Sequence, residues 1–245
     1  MDRVVWNSWH KFIYYDDIDK NKILDDLSKY KASLNSNEPI VVYICDDGLS
    51  MVNENIQVDR YRIEFFHHRY YELLITLSII DKLIESIDID VLNSRFKRLF
   101  HLCSLSGNTD ITDILLLRDM LNKSKDIYKR EYINYIETGI LRNFYDSLEI
   151  SSVVIDSVIP CIKKSIGLDK YFSLVIDVND EISKYNEMSI NDYIASRCTS
   201  YLSVNILLSK YEWKFYYSSN GQFIQDVHDY SEIDLRKNKI KSRYI

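Results

Sequence analysis

The chain has 245 residues, of which 46% are hydrophobic and 28% charged, and its net charge is −6. Such a length and composition are typical of a folded globular protein with one good core or two small ones. The acidic balance argues against nucleic acid as the main ligand, because binding to phosphate backbones needs a basic surface.

Cysteine use and the N-terminal sequence indicate the compartment. The four cysteines are widely spaced, with no CxxC pair and no histidine at zinc-ligand spacing, so we expect buried free thiols in a reducing compartment. No signal peptide is visible, and no apolar run approaches the length of a membrane span. We therefore expect a soluble, cytoplasmic protein. The many tyrosines and few glycines also indicate an AT-rich genome, such as that of a protist, a bacterium or a large DNA virus.

The scarcity of helix-breaking residues predicts the fold class. Five glycines and two prolines occur in the chain, which favours an all-α protein, a single helical bundle domain spanning residues 1–245. The first helix is predicted over residues 5–31 and is followed by a turn at residues 35–39. Residues 40–45 form a β-branched apolar run that fits either a strand or the start of a buried helix, and this is the one candidate for a short extended segment.

Apolar residues at three- and four-residue steps predict the remaining helices. An interior glycine, Gly139, is expected to mark a kink or a close approach within one of them. The tail from about residue 229 is polar and ends in basic residues. The predicted helices cover residues 57–86, 90–105, 111–121, 126–146, 168–185 and 191–217.

One nine-residue segment carries the most ordered chemistry of the sequence. Asn179, Ser183 and Glu187 are spaced four residues apart, which places their side chains in one row on a helix. Amide, hydroxyl and carboxylate oxygens are ligands that a hard divalent cation such as magnesium accepts. Because the row carries a single negative charge, we expect it to bind magnesium well only when a diphosphate supplies further oxygens.

The segment over residues 179–187, with the pattern Asn-Asp-x-x-Ser-x-x-x-Glu, resembles the second metal motif of class I terpene synthases. Upstream, residues 138–139 resemble the helix kink of that family, and the acidic run at residues 12–19 is similar to its aspartate-rich motif. Near the C-terminus, Arg243 and Tyr244 resemble the pair that closes over the diphosphate.

The resemblance implies a magnesium-dependent enzyme that ionises and cyclises a prenyl diphosphate. A second acidic pair, Asp46 and Asp47, is the alternative to the pair at residues 16 and 17 as the one that faces the metal row. The implied magnesium ligands are Asp16, Asp17, Asn179, Ser183 and Glu187, and the implied diphosphate contacts are Arg142, Lys184, Arg243 and Tyr244.

Other interpretations stay open. The row can be a solvated face of a non-enzymatic helical protein from a virus or parasite, which binds a host or structural protein as its partner. Asp46 and Asp47, which follow the apolar run, can form a plain turn or the strand-then-acid turn of nucleotide-sugar transferases. No glycine-rich phosphate loop occurs in the sequence, which argues against P-loop kinases and ATPases.

Overall fold

A computed structural model gives the structure of the protein. It describes residues 10–16, 20–29, 39–45, 49, 59–107, 110–140, 171–178, 184–195, 202–209, 213–214, 216–218, 221–224 and 230–236.

Two compact units make up the chain, and the fold is α/β. The first unit consists of Met1–Gly48 together with Asp169–Ile245 and holds the described strands; we call it the α/β unit. The second, Leu49–Leu168, is inserted between two of those strands and is helical; we call it the helical unit. The prediction of an all-α fold is therefore wrong.

The α/β unit contains a five-stranded sheet in which every pair of neighbours is parallel. The strand order is β2-β3-β4-β1-β5, or 5-1-4-3-2 when counted from β5. The strands are β1 (His10–Tyr14), β2 (Pro39–Cys45), β3 (Tyr171–Val178), β4 (Leu202–Leu208) and β5 (Tyr230–Asp234). The helices are α1 (Lys20–Lys29), α2 (Arg60–Ser86), α3 (Ile89–Gly107), α4 (Ile114–Thr138) and α5 (Lys184–Ala195).

Burial on both faces explains the sequences of the inner strands. All eight residues of β3 (YFSLVIDV) and all seven of β4 (LSVNILL) are buried. A parallel sheet covered on both sides selects continuous apolar runs rather than an alternating pattern. Such runs have no period of two, and they cannot be told from buried helix by periodicity alone. For this reason the helices predicted over residues 168–185 and 191–217 are wrong where β3 and β4 lie.

Helix α1 covers one face of the sheet. Ile23 and Leu27 lie four residues apart on the helix and pack in one buried cluster with Ile13, Val175 and Leu207. The single helix predicted over residues 5–31 is thus β1 followed by α1. The run at residues 40–45 is β2, one strand of five rather than an exception within a bundle.

The opposite face is covered by aromatic side chains and by α5. The ring centroid of Phe12 lies 5.1 Å from that of Trp213 and 4.6 Å from that of Tyr230, both edge-on. Helix α5 joins the same layer, since Glu187 Oε1 accepts the backbone N–H of Lys214 at 3.1 Å. Right-handed crossovers that run in opposite directions along a sheet put their helices on opposite faces, as α1 and α5 are here.

The helical unit has a core of its own, formed largely between α2 and α4. The ring of Phe66 on α2 lies 5.7 Å from Tyr132 and stacks on Tyr135 at 6.0 Å. Asp113 caps the start of α4, and Gly139, with a φ of 70°, ends it in the left-handed conformation that favours glycine. Gly139 therefore terminates a helix instead of kinking one. No helix in the described parts of either unit is long and apolar enough to cross a bilayer.

Adjacent leucines of α4 offer a matched test of this core. Leu117 is fully buried, whereas Leu116 is 46% exposed. We expect Leu117→Ala to lower the free energy of unfolding of the helical unit by about 2–5 kcal/mol, because it removes buried methyl groups and leaves a cavity. Leu116→Ala is expected to change it by less than about 0.5 kcal/mol. Urea unfolding followed by circular dichroism measures both, and equal losses would contradict the assigned face of α4.

Candidate functional site at the carboxyl edge of the sheet

The carboxyl ends of the strands share one edge of the sheet, because the strands are parallel. After β1 the chain enters α1 on one face, whereas after the neighbouring β4 it runs to Trp213 on the opposite face. In an open parallel sheet, ligands bind in the crevice beyond the carboxyl ends, where neighbouring connections leave to opposite faces. The edge beyond β1 and β4 is therefore the expected position of a site.

A buried carboxylate, that of Asp177, lies at this edge one residue before the end of β3. Donors from three elements hold its two oxygens. Tyr15, directly after β1, donates its hydroxyl to Oδ1 at 3.2 Å. Lys20, the first residue of α1, and Tyr43 of β2 both donate to Oδ2. The ammonium group of Lys20 neutralises a charge that would otherwise be costly to bury.

The four side chains differ in their access to solvent. Asp177 is fully buried and Tyr15 is 6% exposed, so these two form the inner part of the cluster. The side chain of Lys20 is 33% exposed, and Tyr43 is 39% exposed. A molecule that approaches from solvent therefore meets Lys20 and Tyr43 before it reaches Oδ2 of Asp177.

The cluster fixes the protonation of its members. Burial, and then the hydrogen bond to Asp177, raises the pKa of Tyr43 to about 12. Burial and the charge of Asp177 likewise raise the pKa of Tyr15. The hydrogen bond that Lys20 donates to Asp177 raises the pKa of the lysine. Near neutral pH Lys20 is therefore a cation and the two tyrosines are neutral phenols, and all three donate hydrogen bonds to Asp177.

Further charged groups follow β1 and β5 at the same edge. Asp16 comes directly after Tyr15 and is exposed. The guanidinium of Arg236 donates two hydrogen bonds to Asp234, from Nε to Oδ1 at 3.1 Å and from Nη2 to Oδ2 at 3.2 Å. The same guanidinium lies 4.7 Å from the ring centre of Tyr14. A guanidinium held between a carboxylate and an aromatic face has few accessible rotamers, so its position at the edge is well defined.

The amino end of β1 carries a second set of buried titratable groups. His10 Nδ1 accepts the backbone N–H of Val204 at 2.9 Å, so this nitrogen carries no proton in the fold. Burial, with help from the neighbouring charge of Lys11, lowers the pKa of His10 to about 3. Burial also lowers the pKa of Lys11 to about 7. These groups lie at the amino edge of the sheet, whereas Asp177 lies at the carboxyl edge, so they are not part of the edge cluster.

The helical unit holds a buried carboxylate too, and the two contacts described for it come from its own helix. Glu72 is fully buried in α2, where it forms an ion pair with Arg69, three residues before it, and lies with Oε1 3.3 Å from His68 Nε2, four residues before it. Pairs at this spacing are the ordinary way a helix compensates a charge. We therefore assign Glu72 a structural role.

Of the residues implied by the terpene synthase resemblance, the structure describes Asp16, Lys184 and Glu187. Strand β3 ends at Val178 and α5 begins at Lys184, so of the segment over residues 179–187 only the last four residues lie in a described helix. Glu187 is buried in α5 and accepts the N–H of Lys214, and exposed Lys184 lies with Nζ 5.0 Å from the ring centre of Tyr185. Asp16 is exposed at the carboxyl edge. Asp17, Asp46, Asp47, Arg142, Asn179, Ser183, Arg243 and Tyr244 lie outside the described residues.

The members of the edge cluster were not among the predicted site residues. Asp177 ends the apolar run Leu174-Val175-Ile176, and an acidic residue that closes a buried strand is a signal present in the sequence. A helix predicted over this segment gives the apolar run no special end, so the signal does not identify Asp177. Nothing in the local sequence marks Lys20 or Tyr43 as site residues. Only the tertiary fold brings them to Asp177. Within the described residues, no three histidine, cysteine or acidic side chains group as a metal site would require.

Comparison of the chain with family models, with curated proteins and with solved structures found no match. The geometry of the carboxyl edge is therefore the basis for a functional proposal.

The hydrogen bond from Tyr15 to Asp177 provides a test of the inner part of the cluster. We expect Tyr15→Phe to lower the free energy of unfolding by about 1–2 kcal/mol, because a buried bond to a charged acceptor is lost. In an Asp177→Asn background the same change should cost less, since a neutral amide oxygen accepts a weaker bond than a carboxylate. A double-mutant cycle by urea unfolding measures the coupling. Equal costs in both backgrounds would show that Tyr15 does not depend on the charge.

Acid should destabilise the α/β unit through His10. Its pKa is lowered from 6.5 to about 3 in the fold, so the unfolded chain binds the proton more tightly. The stability that this provides is complete above about pH 6.5 and is lost as the pH falls toward 3. Between pH 7 and pH 5 we expect a loss of about 2 kcal/mol from this group.

His10→Asn is the matched variant, because the Asn oxygen can still accept the N–H of Val204 but does not titrate. Its free energy of unfolding is expected to fall less steeply between pH 7 and pH 5 than that of the unaltered protein. Lys11 titrates in both proteins and cancels in the comparison. If the free energy of unfolding falls equally steeply with pH in both proteins, His10 is not the group that binds the proton.

Proposed function

We propose that the α/β unit binds a nucleotide together with magnesium at the carboxyl edge of the sheet. The observation that carries this proposal is the pairing of Lys20, at the start of the helix after β1, with Asp177, at the end of β3. The two residues supply the two kinds of group that a magnesium-bound phosphate requires, a cation for the phosphate oxygens and a carboxylate for the metal.

The lysine supports the phosphate half of the proposal. Lys20 is the first residue of a ten-residue helix that follows an inner strand of the sheet. The amino end of a helix carries a partial positive charge, which favours a phosphate nearby. In P-loop NTPases a lysine at the same place, between strand and helix, contacts the phosphates. The likeness to those proteins is an analogy of position alone.

The aspartate supports the magnesium half. Magnesium is commonly held by one or two carboxylates, several waters and the phosphates of its substrate, rather than by a full cage of protein ligands. A single strand-end carboxylate fits this pattern, and in P-loop NTPases an aspartate of this kind holds the ion. Of the two oxygens of Asp177, Oδ2 is the one that a metal would reach, because its partners Lys20 and Tyr43 are the partly exposed members of the cluster.

The sequence between β1 and α1 limits the proposal to binding. Residues 15–19 read Tyr-Asp-Asp-Ile-Asp and contain no glycine. A glycine-rich loop lets the backbone wrap the phosphates closely, and that feature of P-loop enzymes is missing here. The three aspartates within residues 15–19 also repel a bare phosphate, so we propose that the nucleotide binds as its magnesium complex. We assign no hydrolytic activity to the site.

The enzyme predicted from the terpene synthase resemblance stays a prediction. Its helical fold is contradicted, but its implied substrate, a prenyl diphosphate with magnesium, belongs to the same chemical class as a magnesium nucleotide. The alternative, a protein that acts by binding a protein partner, also stays a prediction. Farnesyl diphosphate therefore belongs in the binding experiment as a separate arm.

Isothermal titration calorimetry of the purified chain tests the proposal with ATP, adenosine and farnesyl diphosphate, each with magnesium and with EDTA. We expect ATP to bind only with magnesium and adenosine to bind much more weakly. Lys20→Ala should weaken the binding of magnesium ATP by at least about tenfold, or 1.4 kcal/mol, because one phosphate contact is lost. Asp177→Asn should also weaken the binding of magnesium ATP, because the carboxylate assigned to the metal is lost.

Lys22→Ala is the matched control, since Lys22 is an exposed lysine on the same helix. It should leave the affinity for magnesium ATP within about twofold, well under 1.4 kcal/mol. Circular dichroism of each variant reports whether the fold is kept. Absence of ATP binding by the folded protein would overturn the proposal, as would equal losses in the Lys20 and Lys22 variants. Tight binding of farnesyl diphosphate without ATP binding would favour the prenyl diphosphate enzyme instead.

A further inference from the structure

Three polar atoms close a triangle at the outer side of the edge cluster. Lys20 Nζ and the Tyr43 hydroxyl both donate to Oδ2 of Asp177. Lys20 Nζ also donates to the Tyr43 hydroxyl oxygen at 3.1 Å. Each of the three groups is therefore bound to both of the others.

We propose that the hydroxyl of Tyr43 is an autoinhibitory contact, which holds Lys20 and Asp177 against each other and lowers the affinity of the site for a magnesium-bound phosphate. This inference rests on the proposed function, because it concerns the same lysine and carboxylate. It adds a residue, from strand β2, that neither half of the binding chemistry requires.

The hydroxyl competes with the ligand for both of its anchors. The ammonium of Lys20 has three N–H groups, and Asp177 and Tyr43 accept from two of them, so a phosphate can accept from the third, whereas any further contact from Lys20 displaces one of these bonds. A magnesium ion must approach Oδ2, the oxygen to which Tyr43 donates. Binding of the magnesium-bound phosphate at Oδ2 therefore costs a hydrogen bond of the Tyr43 hydroxyl, and that cost is subtracted from the affinity.

The other tyrosine of the cluster has no such effect. Tyr15 donates to Oδ1 from the inner side and is nearly buried. A ligand that takes Oδ2 leaves this bond in place, and the bond keeps the carboxylate oriented. Tyr15 is thus a positioning residue, and the two tyrosines are predicted to act in opposite directions on binding.

Substitution by phenylalanine isolates the hydroxyl from the ring. Lys20 Nζ lies 5.6 Å from the ring centre of Tyr43, a cation–π contact that Tyr43→Phe retains. The ring also stays partly exposed at the sheet edge, so the variant should fold. A change in ligand affinity in this variant therefore reports the loss of the hydrogen bonds and not the loss of a side chain.

The experiment is a titration of magnesium ATP into the full chain, Tyr43→Phe and Tyr15→Phe. We expect Tyr43→Phe to bind magnesium ATP about three- to tenfold more tightly than the unaltered protein, because one hydroxyl no longer competes. Tyr15→Phe is expected to bind no more tightly than the unaltered protein. Far-ultraviolet circular dichroism and thermal unfolding confirm that all three proteins are folded.

The outcomes separate this inference from the proposed function. Tighter binding by Tyr43→Phe than by the unaltered protein, with no such gain in Tyr15→Phe, supports the inference. Equal or weaker binding by Tyr43→Phe, with clear binding by the unaltered protein, overturns the autoinhibitory contact and leaves the proposed function standing. Tighter binding by both tyrosine variants overturns the inference as well, because the effect would then not be specific to Oδ2. No binding by any of the three removes the proposed function and this inference together.

Discussion

A single buried negative charge organises the carboxyl edge of the α/β unit. Asp177 is fully removed from solvent, and an ion in that position is stable only when charge and hydrogen-bond donors surround it. The donors come from the end of β1, from the start of α1 and from β2. Three consecutive elements near the start of the chain, β1, α1 and β2, are thereby fixed relative to one carboxylate of β3, which lies at least 134 residues further along the sequence.

The parallel sheet makes this arrangement reachable. Side chains of Tyr15, Tyr43 and Asp177 point to the face that α1 covers, and alternate positions along the strands point to the aromatic layer around Phe12. Because the strands run in the same direction, their carboxyl ends meet at one edge, and so do the residues that end or follow them. The cluster is a consequence of strand direction and order, and neither is written in any one segment of the chain.

The helical unit is the part of the fold that the sequence predicts well. Helix α2 occupies residues 60–86 against a prediction of 57–86, and α3 occupies 89–107 against 90–105. These helices have one buried face and a clear period. Helix α4 is one continuous helix where two were predicted. Asp113 caps its start, and Gly139 caps its end. The strands of the sheet are not predicted by the sequence, because burial on both faces removes the two-residue period by which a strand is recognised.

The site shows the same division. Asp16 is the one predicted metal ligand that the described residues place at the carboxyl edge, and it was named for a different reason, its place in an acidic run. Lys20, Tyr43 and Asp177 meet only through the strand order 5-1-4-3-2. A sequence pattern reports neighbours along a helix or strand, whereas these residues are 23 or more positions apart. Their association required the tertiary structure.

The position of β1 has a consequence for how the chain folds as it is made. Its neighbours in the sheet are β4 and β5, so Lys11 pairs in register with Asn205 and with Ser231. During synthesis β1 emerges with none of its partners, and the sheet cannot close until roughly two hundred further residues have followed. The helical unit, with its own core, can fold in the meantime. Strand β1, whose five residues are all buried in the folded sheet, therefore stays unpaired and exposed in the nascent chain until β4 and β5 have been made.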